Sequence, residues 1–157
     1  MERMWAPWRM AYIQQEAAGG CILCDKPAED DDARNYILYR GEHNFIIMNR
    51  YPYNGGHLMV APYRHLASLE EMTDKERDEH FSLVSRSTVV LRQAFQPGGF
   101  NIGINIGRIA GAGIDGHMHS HVVPRWAGDT NFMPVIGDAK VVNEALAETY
   151  ARLKGQF

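Results

Sequence analysis

One α+β domain over residues 1–157 is the fold class this sequence predicts, and three observations carry it. Residues 73–95 keep a helical period, residues 100–107 alternate with a period of two, and residues 45–62 read as a hairpin. The chain has 157 residues, enough for a core of its own. Hydrophobic content is 45% and charged content 22%, both ordinary for a globular chain. Formal net charge is −3, with no run of Lys or Arg, so no broad basic field invites a nucleic-acid polymer. The opening segment lacks the continuous apolar stretch of a signal peptide, and no stretch approaches a membrane span. The expected location is cytoplasmic.

In order along the chain, a short helix is expected over residues 8–15. Cys21 and Cys24 follow in "CILC", with loop-like flanks, and the acidic run 29–32 reads as a solvated turn. "NYILYR" predicts a strand over 36–39, and "NFIIMN" a stronger one over 45–48. "YPYNGG" is a turn by composition, and "HLMVAP" returns as the partner strand. Thr73 and Glu76 have the spacing of a capping box at the start of the long helix. Phe81, Val84, Val89, Leu91 and Phe95 are the residues expected on its buried stripe, and "QPGG" ends it. "FNIGINIG" then sets Phe100, Ile102, Ile104 and Ile106 against polar or small residues, the pattern of a half-buried strand. The tail over 143–153 reads as a last helix.

The chemistry concentrates in "GHMHSHVVPRW". On a strand, His117, His119 and His121 would share one face. An imidazole can act near neutral pH as base, acid, nucleophile or metal ligand. Three of them in alternation are hard to explain as packing. Putting all three on one metal fits poorly, because residues two apart on a strand are roughly 7 Å apart. Cys21 and Cys24 are the only cysteines. A lone CxxC is either a redox pair or half of a tetrahedral thiolate site, and histidines supply the missing half of the latter. A division of labour fits best: one triad histidine joins the cysteines, His65 is a fourth ligand, and the other two are left for chemistry. The glycines at 107, 111, 113 and 116 allow either an anion-binding loop or a plain hairpin connection.

Alternating histidines followed by Val122 and Val123 resemble the signature of histidine triad proteins, and the likeness covers nearly the whole chain. "NRYPYNGGHLMVAPYRH", "GFNIGINIGRIAGAGI" and "HVVPRWAGDTNF" are most similar to the bacterial branch of diadenosine tetraphosphate phosphorylases. The resemblance implies a mostly antiparallel sheet of about five strands, a long packed helix, terminal helices and a homodimer. It implies attack on the α-phosphate of a dinucleoside polyphosphate, with His119 as nucleophile and His121 contacting phosphate or leaving-group oxygens. Structural zinc is implied on Cys21, Cys24, His65 and His117, with Mg2+ arriving on the substrate if at all. Asn49 matches the position that fixes the ribose, and Asn105 one near the phosphates. Phosphate would resolve the intermediate in a phosphorylase and water in a hydrolase. A zinc-stabilised nucleotide-binding module with little turnover is the reading from another class.

The chain departs from the family pattern in two places. The usual Gln and Ser or Thr before the triad are replaced by Ala112, Gly113 and Ile114, so the hydroxyl that usually touches phosphate is missing, and backbone groups of Ala112 and Gly113 can replace it. Ser120 stands where the family commonly has a hydrophobic residue, and it is expected to face away from the imidazoles. Arg108 and Arg125 are the candidate anion contacts. His57 is read chiefly as structural, His80 as surface or packing, and His43 as exposed. Trp5, Trp8 and Trp126 are read as packing residues, with a base pocket as the alternative.

Overall fold

The computed structural model describes residues 20–114, 116–129 and 144–157. Its elements are α1 (Ile22–Ala28), α2 (Asp32–Asn35), β1 (Ile37–Arg40), β2 (Asn44–Met48), β3 (Leu58–Pro62), α3 (Asp74–Phe95), β4 (Gly99–Ile104), β5 (Ser120–Arg125) and α4 (Leu146–Leu153). The strands form one five-stranded antiparallel sheet in the order β1-β2-β3-β5-β4. The α+β class and the hairpin over 45–62 therefore hold. The expected helix over 8–15, Trp5, Trp8 and residue 143 of the tail lie outside the described residues.

β2 and β3 are buried along their whole length, because the sheet is covered on both faces. On one face α3 and α4 pack over Ile46, Met48, Leu58, Val60 and Val122. On the other, Leu23 of α1 packs with Phe45, Ile47, Met59 and Ala61. The sequence placed "CILC" in a loop, yet Cys21 is the residue that opens α1 and Cys24 lies in its first turn. Leu23 is fully buried, and burying a leucine stabilises by roughly 1.5–3 kcal/mol, which holds this short helix to the sheet. The acidic run is likewise more ordered than a solvated turn. Asp31 accepts a hydrogen bond from the Arg34 amide (3.1 Å) and caps α2, and Asp32 pairs with Arg40 (2.7 Å).

The capping box of α3 is present: Thr73 accepts from the Glu76 amide, and the Glu76 carboxylate accepts from the Thr73 amide (2.7 Å). Arg64 beside Glu76 holds that carboxyl down to about 2. The expected stripe is wrong in detail. Phe81 and Val89 are exposed, and the buried face is Glu76, His80, Leu83, Val84, Ser87, Val90 and Leu91. That face keeps a heptad period but includes three polar residues, each with a hydrogen-bond partner: Glu76 with Arg64 and Thr73, His80 with Asn44 and Ser120, and Ser87 with Leu83 O. An apolar-only reading rotates the helix towards its larger hydrophobes for that reason.

β4 is an edge strand, so the alternating segment is less buried than its pattern predicts. Ile102 is 50% exposed, and Ile106 lies past the end of the strand and is also exposed. β4 and β5 are joined through the glycine-rich loop, whose 3-10 turn spans Arg108–Ala110. No described helix is long and apolar enough to cross a membrane.

Candidate active site and metal centre

The three triad histidines do not share one strand face. β5 begins at Ser120, so His117 and His119 precede it, and the period-two argument fails for them. The Met118 amide donates to Leu66 O (2.7 Å), which turns the chain just before the sheet begins. His117 consequently points to the cysteine side. His119 and His121 remain neighbours, with ring centroids 4.8 Å apart in an edge-to-face arrangement.

His117 Nε2 lies 2.8 Å from Pro62 O. A carbonyl only accepts, so Nε2 carries the proton and Nδ1 keeps its lone pair. That Nδ1 lies 3.2 Å from Cys21 Sγ and 3.4 Å from Cys24 Sγ, and His65 Nδ1 lies 3.3 Å from Cys24 Sγ. The four ligand atoms all fall within 4.8 Å of one another. A tetrahedral ion with metal–sulfur bonds of about 2.3 Å and metal–nitrogen bonds of about 2.05 Å separates its ligands by roughly 3.5 Å, so this Cys2His2 set fits a zinc-type ion. The Pro62 carbonyl supplies the outer contact that fixes a ligand histidine. A Cβ on Gly116 would lie 3.3 Å from His65 Nε2, so the glycine makes room for that ligand. Burial, with the neighbouring Cys21 thiol adding to it, pushes the Cys24 thiol up to about 11. Binding a cation there must therefore displace protons.

His119 is buried, and its Nδ1 lies 2.9 Å from the backbone carbonyl of His117. Nδ1 must donate, which leaves the lone pair on Nε2. Burial lowers its pKa and keeps the ring neutral. His121 has the opposite arrangement. The Tyr53 amide donates to His57 Nδ1 (3.1 Å), so the proton of neutral His57 sits on Nε2. That Nε2 lies 2.9 Å from His121 Nδ1 and donates to it. The proton of neutral His121 is thereby placed on its Nε2. Two adjacent imidazoles thus present a lone pair and an N–H respectively. Tyr53 packs against both His57 and His121, with centroids 4.6 and 5.6 Å apart.

The other sequence candidates divide. Asn49 is half-buried beside the "YPYNGG" turn, where its Oδ1 accepts from the Tyr51 amide (2.8 Å), so its donor end is the NH2 group. Asn105 follows the end of β4 and is half-buried, and Arg108 is exposed on the 3-10 turn. Ala112 and Gly113 lie half-buried in the loop before the triad, but the Ala112 amide is already directed at Gly107 O (3.4 Å). Arg125 is withdrawn from the anion role, because Asp129 (2.6 and 2.9 Å) and Asn101 (2.6 Å) engage its guanidinium. Trp126 donates to Phe95 O (3.2 Å), in keeping with packing. His43 is half-buried, against the expectation of exposure. His57 was read as chiefly structural, and its bond to His121 brings it into the site. The only sequence signal for that was its place right after the Gly55–Gly56 turn.

Comparison with known proteins agrees with this geometry. A HIT domain matches residues 31–128. The chain is 36% identical over 157 residues to an AP-4-A phosphorylase of Mycobacterium tuberculosis, covering 95% of this chain and 80% of that one. A HIT-family protein of Bacillus subtilis has a similar structure, with a TM-score of 0.63, 29% identity, and coverage of 70% of this chain and 76% of that one. A zinc-bound histidine triad protein of Mycobacterium smegmatis shares the fold, with a TM-score of 0.69, 24% identity, and coverage of 87% and 92%. With the HIT domain spanning all five strands and the triad at the start of β5, the chain belongs to the HIT-domain family.

Proposed function

We propose that this protein is a nucleotidyl transferase that cleaves dinucleoside polyphosphates such as diadenosine tetraphosphate by phosphorolysis, through a nucleotidyl-histidine intermediate. The observation that carries the reading is the opposed tautomers of His119 and His121. The 36% identity to an AP-4-A phosphorylase supports the substrate class.

The lone pair on His119 Nε2 attacks the α-phosphorus, forming a P–N bond as the P–O bond to the departing oligophosphate breaks. The His117 carbonyl stabilises the charge the ring acquires, through the Nδ1–H bond. The electron pair of the broken bond stays on the leaving oxygen, and His121 Nε2–H hydrogen-bonds to it and stabilises the charge it gains. An oxygen of inorganic phosphate then attacks the same phosphorus and breaks the P–N bond. The electron pair of the P–N bond returns to His119 Nε2, which restores the neutral ring, and a nucleoside diphosphate is released. Asn49 donates its NH2 group to a ribose hydroxyl, and Asn105, Arg108 and the backbone at Gly113 serve the phosphates. The Ala112 amide serves them only if its long bond to Gly107 gives way.

Zinc is assigned to Cys21, Cys24, His65 and His117, where it supplies cross-linking of α1 to the triad and no chemistry of the reaction. The exposed Ile102 on the β4 edge and Val89 on α3 support a homodimer that covers them. The deciding experiment is product analysis with diadenosine tetraphosphate. ADP and ATP formed only when phosphate is present supports the proposal. AMP and ATP formed at the same rate without phosphate makes the protein a hydrolase, and binding without turnover makes it a nucleotide-binding module.

A further inference from the structure

A buried polar chain outside the triad ends on the residue between the two reacting histidines. Asn44, His80 and Ser120 are all at most 1% exposed. The Glu79 carboxylate accepts from Asn44 Nδ2 (3.0 Å) and from the backbone amides of Glu42, His43 and Asn44 (2.7 Å each). Asn44 Nδ2 also donates to Glu76 O (2.9 Å). Both partners of Nδ2 are acceptors only, so the orientation of the amide is fixed and Oδ1 faces His80 Nδ1 (2.9 Å). His80 Nδ1 must donate to it. Burial pushes the pKa of His80 down to about 4, so the ring is neutral and its Nε2 accepts. The Ser120 hydroxyl, 2.7 Å away, is the donor. Every bond from Glu79 to Ser120 thus has a defined direction.

The place where this chain ends is informative. The ladders of β5 with β3 and with β4 both stop at Ser120, opposite Val60 and Ile104. His119 is therefore one residue past the last sheet pairing. On its other side, the nearest backbone anchor is Met118 N–H to Leu66 O. An apolar residue at position 120 would need no buried partner. A buried polar network is favourable only when every member is satisfied, and this one is complete.

We propose that His80, oriented by Asn44 and Glu79, is a positioning residue for the nucleophile: through the Ser120 hydroxyl it pins the end of β5 and so sets where the His119 ring stands. This rests on the nucleotidyl-transfer reading given above. A small displacement of a reacting group is enough to lower a rate by one or two powers of ten.

The test is the paired substitution His80→Leu with Ser120→Val, which removes the link to β5 with no unpaired atom on the strand and leaves Asn44 Oδ1 as the one buried atom that loses its partner. Zinc content and folding should match the wild type. The kcat for diadenosine tetraphosphate with phosphate should fall at least about tenfold, with KM changed less than about twofold. A role in packing alone would leave kcat where it was, and a kcat within about twofold of wild type overturns the proposal. Ser120→Thr and Ser120→Ala give a second test should the paired variant not fold. Keeping the hydroxyl should preserve kcat, losing it should not, and equal kcat in the two overturns the proposal. Nitrogen-15 NMR of the His119 ring is independent of turnover. The Nδ1–H tautomer should be fixed in the wild type and averaged in the Ser120→Ala or paired variant. An unchanged spectrum overturns the proposal even if the protein turns over no dinucleotide, while absent turnover by the wild type counts only against the proposed function.

Discussion

His57→Leu is the substitution that most directly tests the tautomer argument. His57 is buried, accepts from the Tyr53 amide at 3.1 Å and donates to His121 at 2.9 Å. Leucine keeps much of the volume and removes both bonds. An unpaired buried group costs about 1–3 kcal/mol, and two partners that relax in part lose together about 2–4 kcal/mol. For a chain of this size that lowers Tm by roughly 4–16 °C. The effect on rate is separate. Without His57 Nε2–H facing its Nδ1, His121 can hold its proton on either nitrogen and no longer presents Nε2–H reliably. Removing one well-placed donor outright costs about 10²–10³ in kcat. His121 remains present, so the loss should be roughly 10- to 100-fold, or about 1.4–2.7 kcal/mol in the barrier. Single-turnover transfer of an α-phosphate label, measured well below Tm, reads this directly. The substituted protein, folded by near-ultraviolet circular dichroism and transferring label within twofold of the wild-type rate, would refute the reasoning.

Other outcomes follow from the same geometry. His119→Ala should abolish the acid-labile protein-bound label while zinc content and nucleotide binding persist, whereas His121→Ala should slow turnover about 10²-fold with label still formed; label on the His119→Ala protein would move the nucleophile elsewhere. Cys24→Ser should cut bound zinc from one per chain to near zero and lower Tm by roughly 6–12 °C, about 3 kcal/mol, in a metal analysis paired with thermal melting; a metal-free wild type that melts at the same temperature counts against the site. Stability should also fall on acidification between pH 6.5 and about 4, because the unfolded chain binds a proton there that buried His80, beside His119 and Glu79, does not. The His80 share of the loss is at most about 1.4 kcal/mol per pH unit, and the His80→Leu, Ser120→Val protein should lose correspondingly less stability on acidification, with buried His117 and His119 still contributing theirs. Sedimentation at micromolar concentration should give a dimer, and Ile102→Glu a monomer; a wild-type monomer removes the homodimer from the proposal.

The fold was legible where sequence pattern and burial coincide. The capping box, the β2–β3 hairpin and the β4 segment were read in place because turn chemistry and period locate them without knowledge of neighbours. α1 was missed because seven residues with a proline in the last turn carry little periodic signal; Leu23 against the sheet and the two sulfurs hold it. The buried face of α3 was misread because Glu76, His80 and Ser87 face inward. A polar residue goes inside only when a partner awaits it: Ser87 finds Leu83 O one turn back, but the partners of His80, Asn44 and Ser120, are 36 and 40 residues away.

The site divides along the same line. Spacing and residue type brought out Cys21, Cys24, His65 and one unspecified triad histidine, since thiols and imidazoles are scarce and chemically particular, and the family resemblance then gave His117 to the metal and His119 and His121 to the chemistry. What each imidazole can do was hidden, because a neutral ring acts through whichever nitrogen lacks the proton, and backbone atoms settle that choice. Pro62 O leaves His117 a lone pair on the cysteine side, and His117 O leaves one on His119 Nε2. The Tyr53 amide, acting through His57, leaves His121 with an N–H. Any residue at those three positions offers the same carbonyl, and any but proline the same amide, so side-chain identity carries no trace of the assignment. His57 could be suspected from its place after a glycine turn, but its donor role requires the fold that sets Tyr53 N–H on one side of its ring and His121 on the other. The opposed protonation of two neighbouring histidines is therefore a property of chain path, and substitutions that move the backbone at 62, 53 or 117 should alter the chemistry while every histidine stays in place.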